Sequence, residues 1–247
     1  MKFKEFGNSK LPTIIFLHGG GLSWWSLEKI IDNLKHDYHI VTPIIDGHGE
    51  DCENNFVSIE DSANKLISFI DINFNGRVFA ISGLSIGGQI LIEVLSKRDS
   101  IAKFAVIESA LIYPIKGVNL MIPIYKIFYG LIKKKWFSKL QAKTLFVPSN
   151  MFDQYYKESS NMTKESLINI TIDNGNYRLK NTIKNTSAKV LIIVGEKELK
   201  IMKKSAKTIN NTILNSQLYV APKMGHGELS LYNSEKYVET IKNFFAN

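Results

Sequence analysis

Cysteine is almost absent from this chain of 247 residues, in which Cys52 is the only one. A single cysteine excludes an internal disulfide and a metal site built from several thiolates. No uninterrupted apolar run is long enough to span a membrane, because the longest candidate, residues 118–132, is broken by Asn119, Pro123 and Lys126. The N-terminal stretch has no apolar core of the kind found in secretory signals. We therefore expect a cytoplasmic protein in a reducing environment.

Acidic residues are scarce in one part of the chain only. Residues 111–180 hold 11 Lys and Arg against 4 Asp and Glu, whereas the remainder holds 20 against 19. Of the net charge of +8, +7 thus belongs to one segment, which argues against a chain-wide nucleic-acid-binding surface. The same segment carries 11 of the 27 aromatic residues. We favour a lysine-rich solvated face here, and attraction of anionic substrates or an anionic lipid surface is the alternative.

Short apolar runs alternate with helical spacing over residues 1–110 and again over residues 181–247. This alternation predicts an α/β fold with a mostly parallel, doubly wound sheet covered by helices on both faces. Residues 111–180 show helical spacing only, so we predict a helical cap inserted into the core and packed on the mouth of the sheet. One of its helices carries an apolar stripe made of Ile124, Ile127, Phe128 and Leu131.

The stretch 78–95 contains the most informative motif. A β-forming run, residues 78–82, leads into a G-x-S-x-G pattern centred on Ser85, and helical spacing begins at Ile86. A serine on such a sharp strand-to-helix turn projects its hydroxyl outward, and the flanking glycines let strand and helix approach closely. The free backbone N–H of Ile86 then points to where an oxyanion would develop.

Two other polar loops follow predicted strands. The glycine run at residues 18–21 can expose backbone N–H groups and supply a second oxyanion donor. The loop at residues 46–52 holds Asp46, His48, Asp51 and Cys52. Their spacing matches no common metal-ligand pattern, and loop chemistry explains them, so we expect no metal site.

A serine, several carboxylates and a histidine follow the ends of successive core strands. Sites in open α/β sheets lie outside the carboxyl ends of the strands. A serine hydroxyl needs a base to remove its proton, and the base needs a third group that holds its tautomer. His226, on a glycine-flanked loop after the last strand, can be the base. The chain order Ser, acid, His is the one expected of an α/β-hydrolase.

Five motifs occur together and in order: HGGG at 18–21, DGHG at 46–49, GLSIGG at 83–88, VLIIVGEKE at 190–198 and MGHG at 224–227. On these motifs the chain resembles the α/β-hydrolase superfamily, in particular its small, capped, esterase-like members. The motifs span nearly the whole core, whereas the cap carries nothing diagnostic.

The resemblance implies Ser85 as nucleophile, His226 as general base, and the backbone N–H groups of Gly20 and Ile86 as the oxyanion hole. It implies no cofactor. The usual acid position falls on Glu198, where many relatives have Asp. Two other glutamates remain as alternative acids, Glu108 at the end of the preceding core strand and then Glu196.

The favoured function is a serine hydrolase that cleaves a carboxylic ester or thioester of a small molecule through an acyl-enzyme intermediate. An acyltransferase or a cofactor-free lyase with the same triad is the nearest alternative, because the triad serves all three activities. A ligand-binding module with a silent triad is an alternative of another class. Neither the substrate nor the oligomeric state follows from the sequence.

Overall fold

The computed structural model describes residues 1–145 and 147–246, and within these ranges seven strands form one sheet. Its strand order is β1-β3-β2-β4-β5-β6-β7, with β1 antiparallel to β3 and every other neighbouring pair parallel. The predicted mostly parallel sheet is therefore confirmed. The strands are β1 (Lys2–Phe6), β2 (Thr13–Leu17), β3 (His39–Ile44), β4 (Val78–Leu84), β5 (Ala102–Glu108), β6 (Lys189–Gly195) and β7 (Ser216–Ala221).

Ten α-helices accompany this sheet in the described part of the chain, and none of them is long and apolar enough to cross a bilayer. They are α1 (Glu28–Leu34), α2 (Ile59–Phe74), α3 (Ile86–Lys97), α4 (Ile122–Phe128), α5 (Lys135–Thr144), α6 (Phe152–Ser159), α7 (Lys164–Asn176), α8 (Lys200–Thr212), α9 (Glu228–Tyr232) and α10 (Ser234–Ala246).

Helices cover both faces of the sheet, as the alternating pattern predicts. Helices α2, α3 and α8 bury one face, with Leu66, Ile90 and Ile209 fully enclosed. Helices α1 and α10 bury the other face, through side chains such as Leu34 and Ile241. Apolar surface on both faces of the strands is thus removed from water, and this burial is the main stabilising contribution in such a fold.

Strand β1 was not predicted from the sequence. Its sequence, KFKEF, alternates charged and aromatic residues and lies at the edge of the sheet, where only Phe3 and Phe6 pack inward. Edge strands bury little apolar surface, so they lack the continuous apolar run that marks the central strands. The sequence-based interpretation missed β1 for this reason.

Helices α4 to α7 all lie between β5 and β6, and the described residues there form no strand. We call residues 111–180 the helical insertion. A separate apolar cluster joins it to the core, since Ala142, Val147 and Tyr155 pack with Leu22 and Leu84. Helix α7 is also tied by hydrogen bonds to the loop before α2 and to the first residue of α2. These bonds run from Phe56 N to Ser166 Oγ (3.1 Å), from Asn169 Nδ2 to Phe56 O (2.9 Å) and from Ile59 N to Asp173 Oδ2 (2.5 Å).

The apolar stripe of the insertion does not pack on the sheet as a cap helix was expected to do. Ile127 is 74% exposed, Phe128 54% and Ile124 46%. The expectation of burial is wrong for these residues, because helical spacing shows which side chains share a face but not what that face meets. The aromatic side chain of Tyr125, within the same predicted basic and aromatic region, lies outside what the structure describes.

Candidate active site

Ser85 lies on a strained turn between β4 and α3. Its φ of 56° and ψ of −114° lie in a region that residues with a side chain rarely adopt. The flanking glycines are required sterically: a Cβ on Gly83 would lie 2.3 Å from Gly87 O, and one on Gly87 would lie 2.6 Å from His18 O. The Ser85 N–H donates to Glu108 O (2.9 Å), which anchors the turn to the neighbouring strand. The strand-turn-helix context expected of the motif is present.

Gly20 and Ile86, the predicted oxyanion donors, lie side by side. A Cβ on Gly20 would be 3.7 Å from Ile86 Cγ2, an ordinary contact distance. Ile86 is the first residue of α3, so its N–H has no acceptor within the helix. The structure therefore brings the glycine loop and the start of α3 together beside Ser85, as an oxyanion hole requires.

His18 holds the glycine loop in place. The Ile45 N–H donates to its Nε2 (3.1 Å), so Nδ1 carries the proton and donates to Gly19 O (2.9 Å). Complete burial, with a further contribution from nearby His48, lowers the pKa of His18 to about 3. A neutral imidazole with both nitrogens engaged in this way positions a loop and is not available as a base.

His226 and Glu198 form a hydrogen-bonded pair. His226 lies in the loop after β7, its side chain is 43% exposed, and its Nδ1 is 3.0 Å from Glu198 Oε2. A carboxylate only accepts, so Nδ1 carries the proton and Nε2 is left as the basic nitrogen. This is the arrangement that general-base catalysis by an oriented histidine needs.

Glu198 is buried but well satisfied by hydrogen bonds. Its Oε1 accepts from Gly195 N (2.7 Å) and from Ser109 Oγ (2.7 Å). Burial alone would raise the pKa of Glu198, but the His226 interaction and these two hydrogen bonds hold it below the ordinary value of 4.5. The carboxylate thus stays charged beside the imidazole at neutral pH.

Ser109 is a part of the site that the sequence did not single out. Its backbone has a φ of 53°, and its hydroxyl, besides donating to Glu198, accepts from Gly227 N (3.2 Å). It thereby connects the acid to the loop that bears the histidine. Ser109 could have been proposed from its position directly after Glu108 at the end of a core strand, because site residues concentrate at such strand ends.

The carboxyl groups of the two other predicted acids have other hydrogen-bond partners. Glu196 Oε2 accepts from the Lys223 N–H (2.6 Å) at the surface. Glu108 is 2% exposed, and its Oε1 accepts from Ser230 N (3.3 Å) at the start of α9. Its burial raises the pKa of Glu108 to about 7. Of the three glutamates, only Glu198 is within hydrogen-bonding distance of His226 in the described part of the chain.

The loop that carries His226 packs against the turn that carries Ser85. A Cβ on Gly227 would lie 2.9 Å from Leu84 Cδ1, so the residue after His226 touches the residue before Ser85. Within the described side chains, Ser85 Oγ forms no hydrogen bond to the imidazole. Catalytic hydrogen bonds are often long without substrate and tighten in the substrate complex.

The helical insertion reaches over the site. Ile170 of α7 lies 4.0 Å from the position that a Cβ on Gly20 would take, and Leu145 lies 3.5 Å from the equivalent position on Gly21. Apolar side chains from the insertion therefore line the space above the glycine loop.

The polar loop after β3 is engaged in ion pairing. Asp46 Oδ2 lies 2.5 Å from Lys65 Nζ of α2. Across residues 1–145 and 147–246, no group of three or more His, Cys, Asp or Glu residues is arranged to hold a metal ion.

Comparison with protein-family models gives no match. Among curated proteins, the chain is 25% identical over 141 residues to an AB hydrolase superfamily protein of Gibberella zeae. The alignment covers 56% of this chain and 48% of that protein. The chain thus spans about half the length of the curated relative that it matches.

Solved structures match over almost the whole chain. An esterase from Exiguobacterium antarcticum superposes with a TM-score of 0.81 at 18% identity, covering 99% of this chain and 95% of that one. The enol-lactonase from Burkholderia xenovorans LB400 gives 0.80 at 12% identity, with 100% and 96% coverage. The resemblance suggested by the motifs is thereby confirmed, and the chain has the α/β-hydrolase fold.

Proposed function

We propose that this chain with the α/β-hydrolase fold is a serine hydrolase that cleaves a carboxylic ester or thioester of a small molecule. Ser85 is the nucleophile, His226 the general base and Glu198 the acid that orients it. The observation that carries the proposal is the buried, charged Glu198 bonded to Nδ1 of His226 beside the strained Ser85 turn. The names of the two structural neighbours, an esterase and an enol-lactonase, support this reaction class.

The first step forms the acyl-enzyme. Nε2 of His226 takes the proton of the Ser85 hydroxyl while Oγ attacks the carbonyl carbon. The oxyanion that develops on the carbonyl oxygen accepts from the N–H groups of Gly20 and Ile86. As the carbonyl re-forms, the bond to the leaving oxygen or sulfur breaks, and the imidazolium gives its proton to the departing alcohol or thiol.

The second step repeats this chemistry with water. His226 removes a proton from the water, and the resulting hydroxide attacks the acyl carbon. The Ser85 ester bond breaks, Ser85 Oγ recovers its proton from the imidazolium, and the carboxylic acid leaves. Glu198 stays ionised throughout and stabilises the positive imidazolium.

The test is Ser85→Ala with short-chain p-nitrophenyl esters. We expect turnover to fall by about 10^4-fold or more, because removal of the nucleophile abolishes the acyl-enzyme route. Ser68→Ala, at an exposed serine of α2, is the matched control and should keep wild-type turnover. An activated-serine probe should label Ser85 in the wild type and leave the Ser85→Ala variant unlabelled.

Undiminished turnover in Ser85→Ala, or labelling at another serine, would contradict the mechanism. Product analysis with an added alcohol acceptor distinguishes a hydrolase from the acyltransferase alternative. In that case an ester product exceeds the free acid, whereas a hydrolase releases the acid.

A further inference from the structure

One surface of the helical insertion combines exposed apolar side chains with uncompensated positive charge. We call residues 116–143 the lysine-rich face. Six of the thirteen large hydrophobic residues that are exposed in the described part of the chain fall within these 28 residues. They are Leu120, Ile124, Ile127, Phe128, Trp136 and Leu140. Exposed apolar side chains concentrated in this way mark an interaction surface.

The apolar residues are arranged as stripes. Leu120, Ile124 and Ile127 recur at intervals of four and three, with Phe128 adjoining, and therefore project from one side of the α4 region. Trp136 and Leu140 are four residues apart on α5 and are 64% and 57% exposed. Two neighbouring helices thus present apolar side chains to solvent.

An apolar groove lies beside the α4 stripe. A cavity of about 290 Å³ is lined by Ile124 and Phe128 of α4, by Phe137 of α5, and by Leu167 and Ile168 of α7, among others. The ring of Trp136 lies against that of Phe137, with centroids 5.7 Å apart. The groove is therefore lined by two exposed residues of the α4 stripe, Ile124 and Phe128, and Trp136 of α5 adjoins it through Phe137.

The charged residues within this face are all of one sign. The lysine-rich face contains seven lysines and no acidic residue. Of these lysines, within the part of the chain that the structure describes, only Lys135 forms an ion pair, with Asp153 (3.1 Å). Lysine side chains can lay their apolar stems along such a surface while the ammonium groups remain in water.

We propose that the lysine-rich face docks on an anionic lipid bilayer, with Ile127 and Trp136 entering the interface and the lysines contacting lipid headgroups. Interfacial helices that bind membranes have this combination of protruding apolar side chains and flanking lysines. A two-fold contact between copies of the chain would bring lysine against lysine, which is unfavourable. Nucleic acid would satisfy the lysines but leave the aliphatic side chains exposed.

The position of α7 connects this surface to the candidate active site. Leu167 and Ile168 line the groove, whereas Ile170 of the same helix approaches Gly20 of the glycine loop. Docking would therefore place the bilayer against the same helix whose Ile170 approaches the glycine loop. The proposal does not depend on hydrolysis, since Ser85→Ala should bind vesicles as the wild type does.

The experiment is co-sedimentation of the full chain with vesicles of phosphatidylcholine, with or without phosphatidylserine. We expect binding to the anionic vesicles that weakens as salt is raised. Lys134→Gln with Lys139→Gln should weaken it about 25-fold, at roughly fivefold per lysine. The matched core pair, Lys200→Gln with Lys207→Gln, should have little effect.

A second pair of substitutions tests whether apolar side chains enter the bilayer. Ile127→Asp should abolish vesicle binding, whereas Leu214→Asp, at a side chain 97% exposed on the core, should leave it unchanged. Circular dichroism checks that both variants fold. The tryptophan emission of the wild type should shift to shorter wavelength on anionic vesicles, and Trp136→Phe should remove this shift.

Three outcomes would overturn the proposal. The first is no sedimentation with anionic vesicles, and the second is equal binding to phosphatidylcholine alone. The third is a dimer that Ile127→Asp converts to a monomer, since the face would then be an interface between copies. Because none of these measurements uses turnover, failure here leaves the proposed hydrolase activity to be judged by the Ser85 experiment.

Discussion

The sheet core and the helical insertion contain the same kinds of apolar residue but place them differently. Ile90 of α3 is completely buried between the sheet and α2, whereas Ile127 of α4 is 74% exposed. The core is also nearly neutral, whereas the insertion holds most of the positive charge. The core thus has the composition needed for a rigid scaffold that holds reacting groups. The insertion carries a surface suited to contact with something outside the protein.

The largest expected effect concerns the core alone. Glu198→Gln should lower kcat by about 10^3 to 10^4-fold, because an amide neither stabilises the imidazolium nor enforces the tautomer with its proton on Nδ1. The measurement is steady-state hydrolysis of a p-nitrophenyl ester, with circular dichroism to confirm the fold. Vesicle binding by the lysine-rich face should be unchanged.

The control for this prediction is Glu196→Gln. Its carboxylate bonds to Lys223 N at the surface and makes no contact with His226, so kcat should stay within a few fold of the wild type. If Glu196→Gln lost as much activity as Glu198→Gln, the assignment of the acid would be wrong.

The same substitution, isoleucine to alanine, compares how much a buried and an exposed side chain contribute to stability in the two regions. Ile90→Ala should lower the free energy of unfolding by about 2–5 kcal/mol, because it leaves a cavity in a close-packed core. Ile127→Ala should change it by no more than about 0.5 kcal/mol, since the side chain is mainly in water already. Urea denaturation measures both. A large loss for Ile127→Ala would show that the stripe is buried in solution.

The smallest expected effect is the pH dependence of stability contributed by Glu108. Its folded pKa is about 7, above the ordinary 4.5, because burial favours the neutral carboxyl group. Between these values the folded state binds more protons than the unfolded state, so the contribution is full below about pH 4.5 and is lost as pH rises towards 7. The loss amounts to about 3 kcal/mol at most.

Glu108→Gln tests this contribution, since glutamine resembles the neutral acid in shape and hydrogen bonding. The variant should be more stable than the wild type at about pH 8, and the two should converge at about pH 4.5. The contribution of Glu198 to stability has the opposite pH dependence. Because its pKa is lowered in the folded state, this contribution is lost only as pH falls below about 4.5. Identical unfolding curves for variant and wild type across this range would contradict the raised pKa.

Most of the scaffold could be predicted because its signals are local. The central strands β2, β4, β5 and β6 are mainly apolar runs, and the Gly83 to Gly87 spacing forces a tight turn. Strand β1 escaped prediction because an edge strand buries too little apolar surface to leave such a run.

The residues of the candidate site could be proposed from the sequence, but the hydrogen bonds between them could not. The resemblance ranked Glu198 first among three candidate glutamates, but the sequence did not show which of them reaches His226. The hydrogen bond of Ser109 to Glu198 depends on where β5 and β6 lie side by side, which no local pattern specifies. Long-range neighbours of this kind exist only in the folded chain.

The sequence by itself therefore determined the α/β class, the tight turn at Ser85 and the concentration of positive charge in one segment, because each follows from residues close along the chain. The tertiary structure alone decided that Glu198 contacts His226 while Glu108 is buried and Glu196 lies at the surface. It also decided that the stripe of α4 faces outward. The contacts of the glutamates and the exposure of the stripe both depend on which elements pack together. The periodicity of a sequence shows only which side chains share one face of a helix.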